Sequence, residues 1–213
     1  MFQLNKLTMK EELLKKIAQK GYTIGFAANL NFATYDMVSV LPGRIAFLSI
    51  VVSILGLICA FFSGKFVSVV FLILSIASIY IERFTQNIDS YAERGKANTA
   101  QLNKLKNLYI RVKGMEENSD FSDIERQYAE IEEAFNEGSE PKQIVFANWY
   151  AHYKLFCEKD VSWMDEQLNF GWWKDKTPQS AKPFMALILM AVIVYYCYKV
   201  PMLNSFFKTI FCI

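Results

Sequence analysis

Residues 45–64, IAFLSIVVSILGLICAFFSG, and residues 66–81, FVSVVFLILSIASIYI, stand back to back with Lys65 alone between them. Neither stretch holds a charged residue. A helix needs about 20 apolar residues to cross a hydrocarbon core about 30 Å thick, with a lower limit near 17. The first run meets that length. The second reaches it if the chain turns at Ser63 and Gly64 and if Glu82 and Arg83 sit among the headgroups. Lipid offers the backbone no hydrogen-bonding partner, so spanning segments are helical. The pattern predicts a transmembrane helical hairpin with antiparallel arms.

Arg44 immediately precedes the first span and Arg83 follows the second, where cations snorkel to the interface. Lys and Arg near span ends set orientation. Lys65 marks the turn, against Lys20, Arg44 and Arg83 on the opposite side. Residues 1–44 and the chain after Arg83 are therefore expected in the cytoplasm. The net charge of +2 hides a split: residues 1–44 carry six basic and three acidic groups, residues 82–182 carry 14 and 18. A net-acidic soluble part without a basic stripe argues against nucleic acid as a partner. Met1 to Lys20 has no apolar h-region or cleavage site, so the first span itself is expected to direct insertion. Cys59, Cys157, Cys197 and Cys212 form no C-x-x-C pair, and His152 is the single histidine. They read as reduced thiols rather than a disulfide or metal framework.

Outside the hairpin the chain reads as helices. Thr8-Met9-Lys10-Glu11 is a capping box, and Leu13, Leu14, Ile17 and Ala18 recur behind it at helical spacing. This helix either lies on an anionic membrane surface or packs on the protein's own soluble part; its narrow apolar face favours packing. Gly21, Gly25 and Pro42-Gly43 are expected to mark bends. Beyond the second span, Ile88, Tyr91, Leu102, Leu105, Tyr109 and Val112 step mostly by threes, fours and sevens, which predicts a helix with one packed seam. If continuous from Phe66 to Lys113, it forms a stalk roughly 72 Å long.

Ser122-Asp123-Ile124-Glu125 reads as a second capping box, followed by an apolar face at Ile124, Tyr128, Ile131 and Phe135. The stretch from Glu116 to Glu140 holds ten acids and Arg126 but lacks the loop geometry calcium prefers, so it reads as a solvated face. Pro141 is expected in the first turn of a further helix carrying Ile144, Val145, Trp149, His152, Tyr153 and Phe156. His152, alone among aromatics, is read as packed and hydrogen-bonded. Trp172-Trp173-Lys174, with Lys176 and Lys182, precede a third apolar run from Pro183 to Tyr198 and match an interfacial belt. That run is expected to form a third, C-terminal membrane helix; its short length leaves a one-leaflet anchor as the alternative.

No phosphate loop, nucleophile elbow, paired carboxylates in a cleft or metal cluster is evident, so no enzyme, catalytic residue, metal or cofactor is expected. The spans do carry a pattern. Ser49, Ser53, Gly56 and Ala60 lie along one stripe of the first, and Ser68, Ser75 and Ser78 along one stripe of the second. Small residues let helices approach closely in lipid. Hydroxyls can also hydrate an ion in a narrow pore. Both uses are open if one stripe packs the hairpin and the other faces a lumen. No ionisable residue sits within either span, which disfavours proton-coupled transport.

Several stretches together resemble the SLATT family of two-span membrane proteins with a cytosolic helical extension. They are Phe32-Ala33-Thr34-Tyr35-Asp36 with Leu41-Pro42-Gly43, Tyr91-Ala92-Glu93-Arg94, Trp149-Tyr150-Ala151-His152-Tyr153, and Trp163 to Pro178 with Asp175-Lys176-Thr177-Pro178. The resemblance covers about residues 10–180. It implies a pore-forming effector of bacterial conflict systems, encoded beside nucleotide second-messenger synthases and sensors, that permeabilises its host's membrane during phage infection. The expectation is therefore an all-α, multi-pass protein of the bacterial inner membrane. Residues 1–44 form cytosolic and juxtamembrane helices, 45–83 the hairpin, 84–182 a cytosolic helical domain, and 183–213 a C-terminal membrane segment. Its expected partners are the lipid bilayer, further copies of itself, and a nucleotide-signalling or other defence protein. A membrane-tethered scaffold recruiting a soluble partner through residues 116–173 is the alternative.

Overall fold

The computed structural model describes residues 8–58, 64–138 and 141–199, the side chains of 197–199 excepted. Among them there are helices and no strands. The expected all-α membrane architecture is what the protein has, with two helices long and apolar enough to cross a bilayer. Ala60, Ser63, three of the four cysteines as side chains (59, 197 and 212) and residues 202–213 lie outside the described set. The described thiol, Cys157, is free and exposed.

The first helix, α1, runs from Met9 to Ile58 without interruption. At 1.5 Å per residue its 50 residues extend roughly 75 Å. Its start is the expected capping box: the Glu11 amide donates to Thr8 Oγ1 at 3.3 Å, and the Thr8 amide to Glu11 Oε2 at 2.9 Å. Helical structure runs through Gly21, Gly25 and Pro42-Gly43, so none of these positions ends the helix. Proline removes one hydrogen bond from a helix, and Leu41 and Ile45 to either side of it pack on a buried cluster. Leu13, Leu14, Ile17 and Ala18 are buried in the protein's own interior, as their narrow face suggested.

α2 (Gly64–Thr85) and α3 (Ile88–Gly114) return antiparallel to α1. The stalk is thus two helices, parted by a turn at Gln86 and Asn87. Its seam is more regular than the apolar residues alone suggest. Positions 67, 70, 74, 77, 81, 84, 88, 91, 95, 98, 102, 105, 109 and 112 alternate steps of three and four, and none is exposed. Gly95 and the buried Asn98 fill the gap between Tyr91 and Leu102. The register holds along the whole length. Gly56 faces Val67, Phe32 faces Gly95, Gly25 faces Leu102, and Lys10 Nζ donates to the carbonyls of Lys113 and Met115 at 3.0 and 2.5 Å. This heptad spacing is what keeps a seam facing its partner along long helices.

The lower half of this hairpin is wrapped by α4 (Ser122–Asn136), α5 (Ala147–Tyr153), a π-helical turn (Lys154–Glu158) and α6 (Ser162–Leu168). Ser122 opens α4, but the capping group is different from that expected. Asp120 accepts the Ser122 amide at 2.9 Å, and Asp160 accepts the Ser162 amide at 3.1 Å, so the same Asp-x-Ser device starts α4 and α6. A carboxylate two residues upstream reaches the orphaned amide better than a serine already inside the helix. The acids of α4 face solvent or cations: Glu132 pairs with Lys20 at 2.5 Å, and Asp123 with Arg126 at 2.6 Å.

Asp160 also accepts the Ser162 hydroxyl and, at 3.0 Å, the Lys106 ammonium. These bonds, the hydroxyl's first, hold its carboxyl at about 2, against 3.8 in a free chain. A depressed folded-state pKa means the contribution is present above pH 3.8 and lost as pH falls through about 2. In melts followed by circular dichroism, Asp160→Asn is therefore expected to show a smaller fall in thermal midpoint between pH 4 and 2 than the unaltered protein.

Residues Met1–Asn169 form one compact unit and Phe170–Ile213 a second. In the second, Asp175 accepts the Gly171 amide at 2.9 Å, and the turn leads into α7 (Ala181–Lys199), with Pro183 in its first turn. The third apolar run is therefore helical.

The candidate membrane hairpin and its neck

The upper arms of the hairpin, Ile45–Ile58 and Gly64–Ile81, present bulky apolar side chains outward. Leu57 is 88 % exposed, and Phe47, Ile50, Leu72, Ile73, Ile76 and Ile79 are similarly uncovered. Nothing in the compact unit covers them, and soluble proteins rarely leave so large a contiguous patch to water.

The small residues divide between two faces. Ser49 and Gly56 lie half-buried on the seam, and a Cβ added at Gly56 would stand 3.3 Å from Val67 Cγ2. Ser53, Ser68, Ser75 and Ser78 lie exposed on the outer surface. Four of these hydroxyls donate to the carbonyl one turn back: Ser49 to Ile45 at 2.9 Å, Ser53 to Ser49 at 2.8 Å, Ser68 to Gly64 at 2.8 Å, and Ser78 to Leu74 at 3.0 Å. Their protons are satisfied within the helix, so the groups carry little desolvation cost in lipid and keep free lone pairs outward. Arg44 and Arg83 are exposed, and so are Trp172 (74 %) and Trp173 (56 %) in the second unit.

Below the hairpin sits a neck. Ala33, Val38, Ile81, Ile144, Ala147 and Ala151 form its buried centre. Small residues from α1 and α5 allow the aromatic rings of Tyr80, Phe84 and Tyr150 to close around them. Running across this centre is a non-helical strap from Pro141 to Phe146. Pro141 was expected in a helical first turn; α5 instead begins at Ala147. The β-branched pair Ile144-Val145 favours extended backbone, and Phe146 adopts left-handed φ of 69° to turn the chain into α5. That conformation costs a bulky residue about 1–3 kcal/mol, so surrounding contacts must hold it.

Those contacts tie the strap to all three long helices. Gln143 meets Thr34 and, at 3.3 Å, donates to Asn31 Oδ1 on α1. The Val145 amide donates to Tyr80 Oη on α2 at 3.0 Å. Tyr91 of α3 donates to the Lys142 carbonyl at 2.5 Å. An ion pair between Lys154 and Asp36 adds a tie from the π-helical turn to α1. Tyr80→Phe should cost about 1 kcal/mol at this point, since one neutral hydrogen bond is lost and water can reach the amide. Hydrogen exchange at the Val145 amide is then expected to quicken roughly fivefold while amides in α3 stay unchanged.

His152 sits between Phe26, edge-on with ring centres 4.9 Å apart, and Phe156 at 5.9 Å. It is packed as expected, but its buried Nδ1 has no hydrogen-bonding partner among the described residues. Burial pushes its pKa below the usual 6.5. Among the described residues no three His, Cys, Asp or Glu side chains converge to hold a metal. The strap was missed in the sequence because Pro141 fits a helix start equally well; Ile144-Val145 was the available signal.

Compared with known proteins, residues 8–185 match the sequence model described as the SMODS and SLOG-associating 2TM effector domain 6. No curated protein and no solved structure matches the chain.

Proposed function

The chain belongs to the SLATT family of two-span membrane effector domains, and from that premise we propose that it is a homo-oligomeric pore-forming effector. In this reading it permeabilises the inner membrane of its bacterial host as an antiphage response, with the helical body in the cytoplasm. The observation that carries the reading is the division of the hairpin into two faces. The inner face is closed within one chain: Ser49 and Gly56 let α1 and α2 touch, and no lumen fits between them. A passage for ions therefore needs several copies, and the outer hydroxyls of Ser53, Ser68, Ser75 and Ser78 are the polar groups available to line it. The strap joins the body to both arms of the hairpin. A signal reaching the body, whether a nucleotide, a partner protein or assembly itself, can then bias the arms if it binds one arrangement better than the other.

Purified protein in vesicles loaded with a self-quenching dye tests this directly. Leakage rising steeply with protein-to-lipid ratio is expected. A hairpin exchanged for an unrelated two-span anchor should leave the vesicles tight; full function with that exchange would favour the tethered scaffold. A strict monomer at every ratio rules out a multi-subunit pore.

A further inference from the structure

The neck also carries a groove of about 410 Å³, lined in part by Asp36, Val40, Arg44, Phe146, Trp149 and Tyr150. It lies beside Ile45, where the uncovered apolar surface of the hairpin begins. Its charged groups are not equivalent. The Asp36 carboxylate is already held by the Lys154 ammonium, which also stands 4.7 Å above the Tyr150 ring. Arg44 is exposed, and among the described residues no carboxylate or carbonyl holds its guanidinium. The groove thus offers a ligand one uncompensated cation and no uncompensated anion.

Its aromatic wall points the same way. Phe146 and Trp149 meet edge to face with ring centres 5.0 Å apart. Phe146 and its neighbour Val145 are both about half exposed, and Phe146 is held there by left-handed backbone. Half-exposed apolar and aromatic side chains at the base of the hairpin suit a bilayer surface, because aromatic rings settle at headgroup level and apolar tips enter the acyl boundary.

We infer that this groove binds the headgroup of an anionic phospholipid, with its phosphate on the Arg44 guanidinium and its acyl chain along Val40 and Phe146. The inference rests on the hairpin lying in a bilayer. Arginine recognises phosphate through two parallel N–H donors. A zwitterionic headgroup offers the same phosphate but adds an ammonium, and the one carboxylate nearby is occupied by Lys154. Anionic lipid is therefore preferred.

Native mass spectrometry of the full-length protein, released from nanodiscs of equal phosphatidylglycerol and phosphatidylcholine, reads which lipid stays bound. Retention of phosphatidylglycerol over phosphatidylcholine by about fivefold is expected, the factor that one surface cation contributes. Arg44→Gln should abolish the preference, and Arg83→Gln, outside the groove, should keep it. Val40→Asp leaves Arg44 in place but supplies the missing carboxylate, so it should shift retention toward phosphatidylcholine. Equal retention of the two lipids by the unaltered protein overturns the site, as does a preference indifferent to both Arg44→Gln and Val40→Asp. Displacement of the lipid by free inorganic phosphate would also overturn it, since the groove would then be a phosphate site. Failure of the unaltered protein to enter nanodiscs would remove the membrane reading and this site together.

Discussion

Gly21→Ala is expected to lower the unfolding midpoint by roughly 2–4 °C, whereas Gly43→Ala, in the same helix, should raise it by a similar amount. Alanine is the better helix former by about 1 kcal/mol, and at Gly43 nothing stands within 4 Å of the added Cβ. At Gly21 that Cβ would lie 2.3 Å from Cη2 of Trp163 and 3.1 Å from Cζ2. The indole cannot swing aside easily, because it is buried and packs on Tyr109 with ring centres 5.2 Å apart. Overpacking of this kind costs about 1–3 kcal/mol, which exceeds the helix gain. Melts of the full-length protein in nanodiscs, followed by tryptophan fluorescence, measure both shifts. Trp163→Leu should destabilise by itself yet remove most of the Gly21→Ala penalty, because the two sites share one contact. If Gly21→Ala stabilises as Gly43→Ala does, the described seating of α6 on α1 is wrong.

The second large effect separates two exposed isoleucines. Ile73 on α2 and Ile110 on α3 are 59 % and 57 % exposed, so water accessibility in one chain does not distinguish them. Their surroundings do. Ile73 lies mid-span among Leu72, Ile76 and Val69, all uncovered. Ile110 neighbours Arg111 and Asn107 on the body. Ile73→Asp should therefore cost about 2.5–3.5 kcal/mol of membrane insertion. Much of the protein would leave the carbonate-resistant membrane fraction, and vesicle leakage would fall with it. Ile110→Asp should change either readout little, since surface substitutions stay within about 0.5 kcal/mol. Equal behaviour of the two variants would mean that hydrocarbon does not surround α2.

The hairpin itself was legible because it depends on run length and mean apolarity, which are sums over neighbouring residues. Much of the α3 seam was legible for a similar reason: Tyr91, Leu105, Tyr109 and Val112 repeat at the period of a helix, and all are buried. The Thr8–Glu11 capping box was legible because its partners are three residues apart. Gly21, Gly25 and Gly95 were not. A glycine that ends a helix and a glycine that admits a neighbouring ring look identical along the chain. Here Trp163 lies over Gly21 and Phe32 over Gly95, each partner arriving from a distant segment. Pro42 was a similar case: it lies inside α1 rather than at its end, with Leu41 and Ile45 beside it packed on residues from distant segments. Ser53 and Gly56 also seemed equivalent, yet one lies outward and the other on the seam.

Reading the residues alone thus determined that this protein is helical, that two runs are long enough to cross a bilayer, and which periodic positions face a core. Tertiary structure decided that one unbroken helix carries the first span down into the body. It also decided that a strap ties body to hairpin, and which small residues close the seam and which remain outside. The division has a physical cause. Hydrophobic burial and helical period act between residues a few positions apart, whereas the rings seated on Gly21 and Gly95 and the bonding of the strap depend on groups more than 50 positions away, whose arrival only the folded chain fixes.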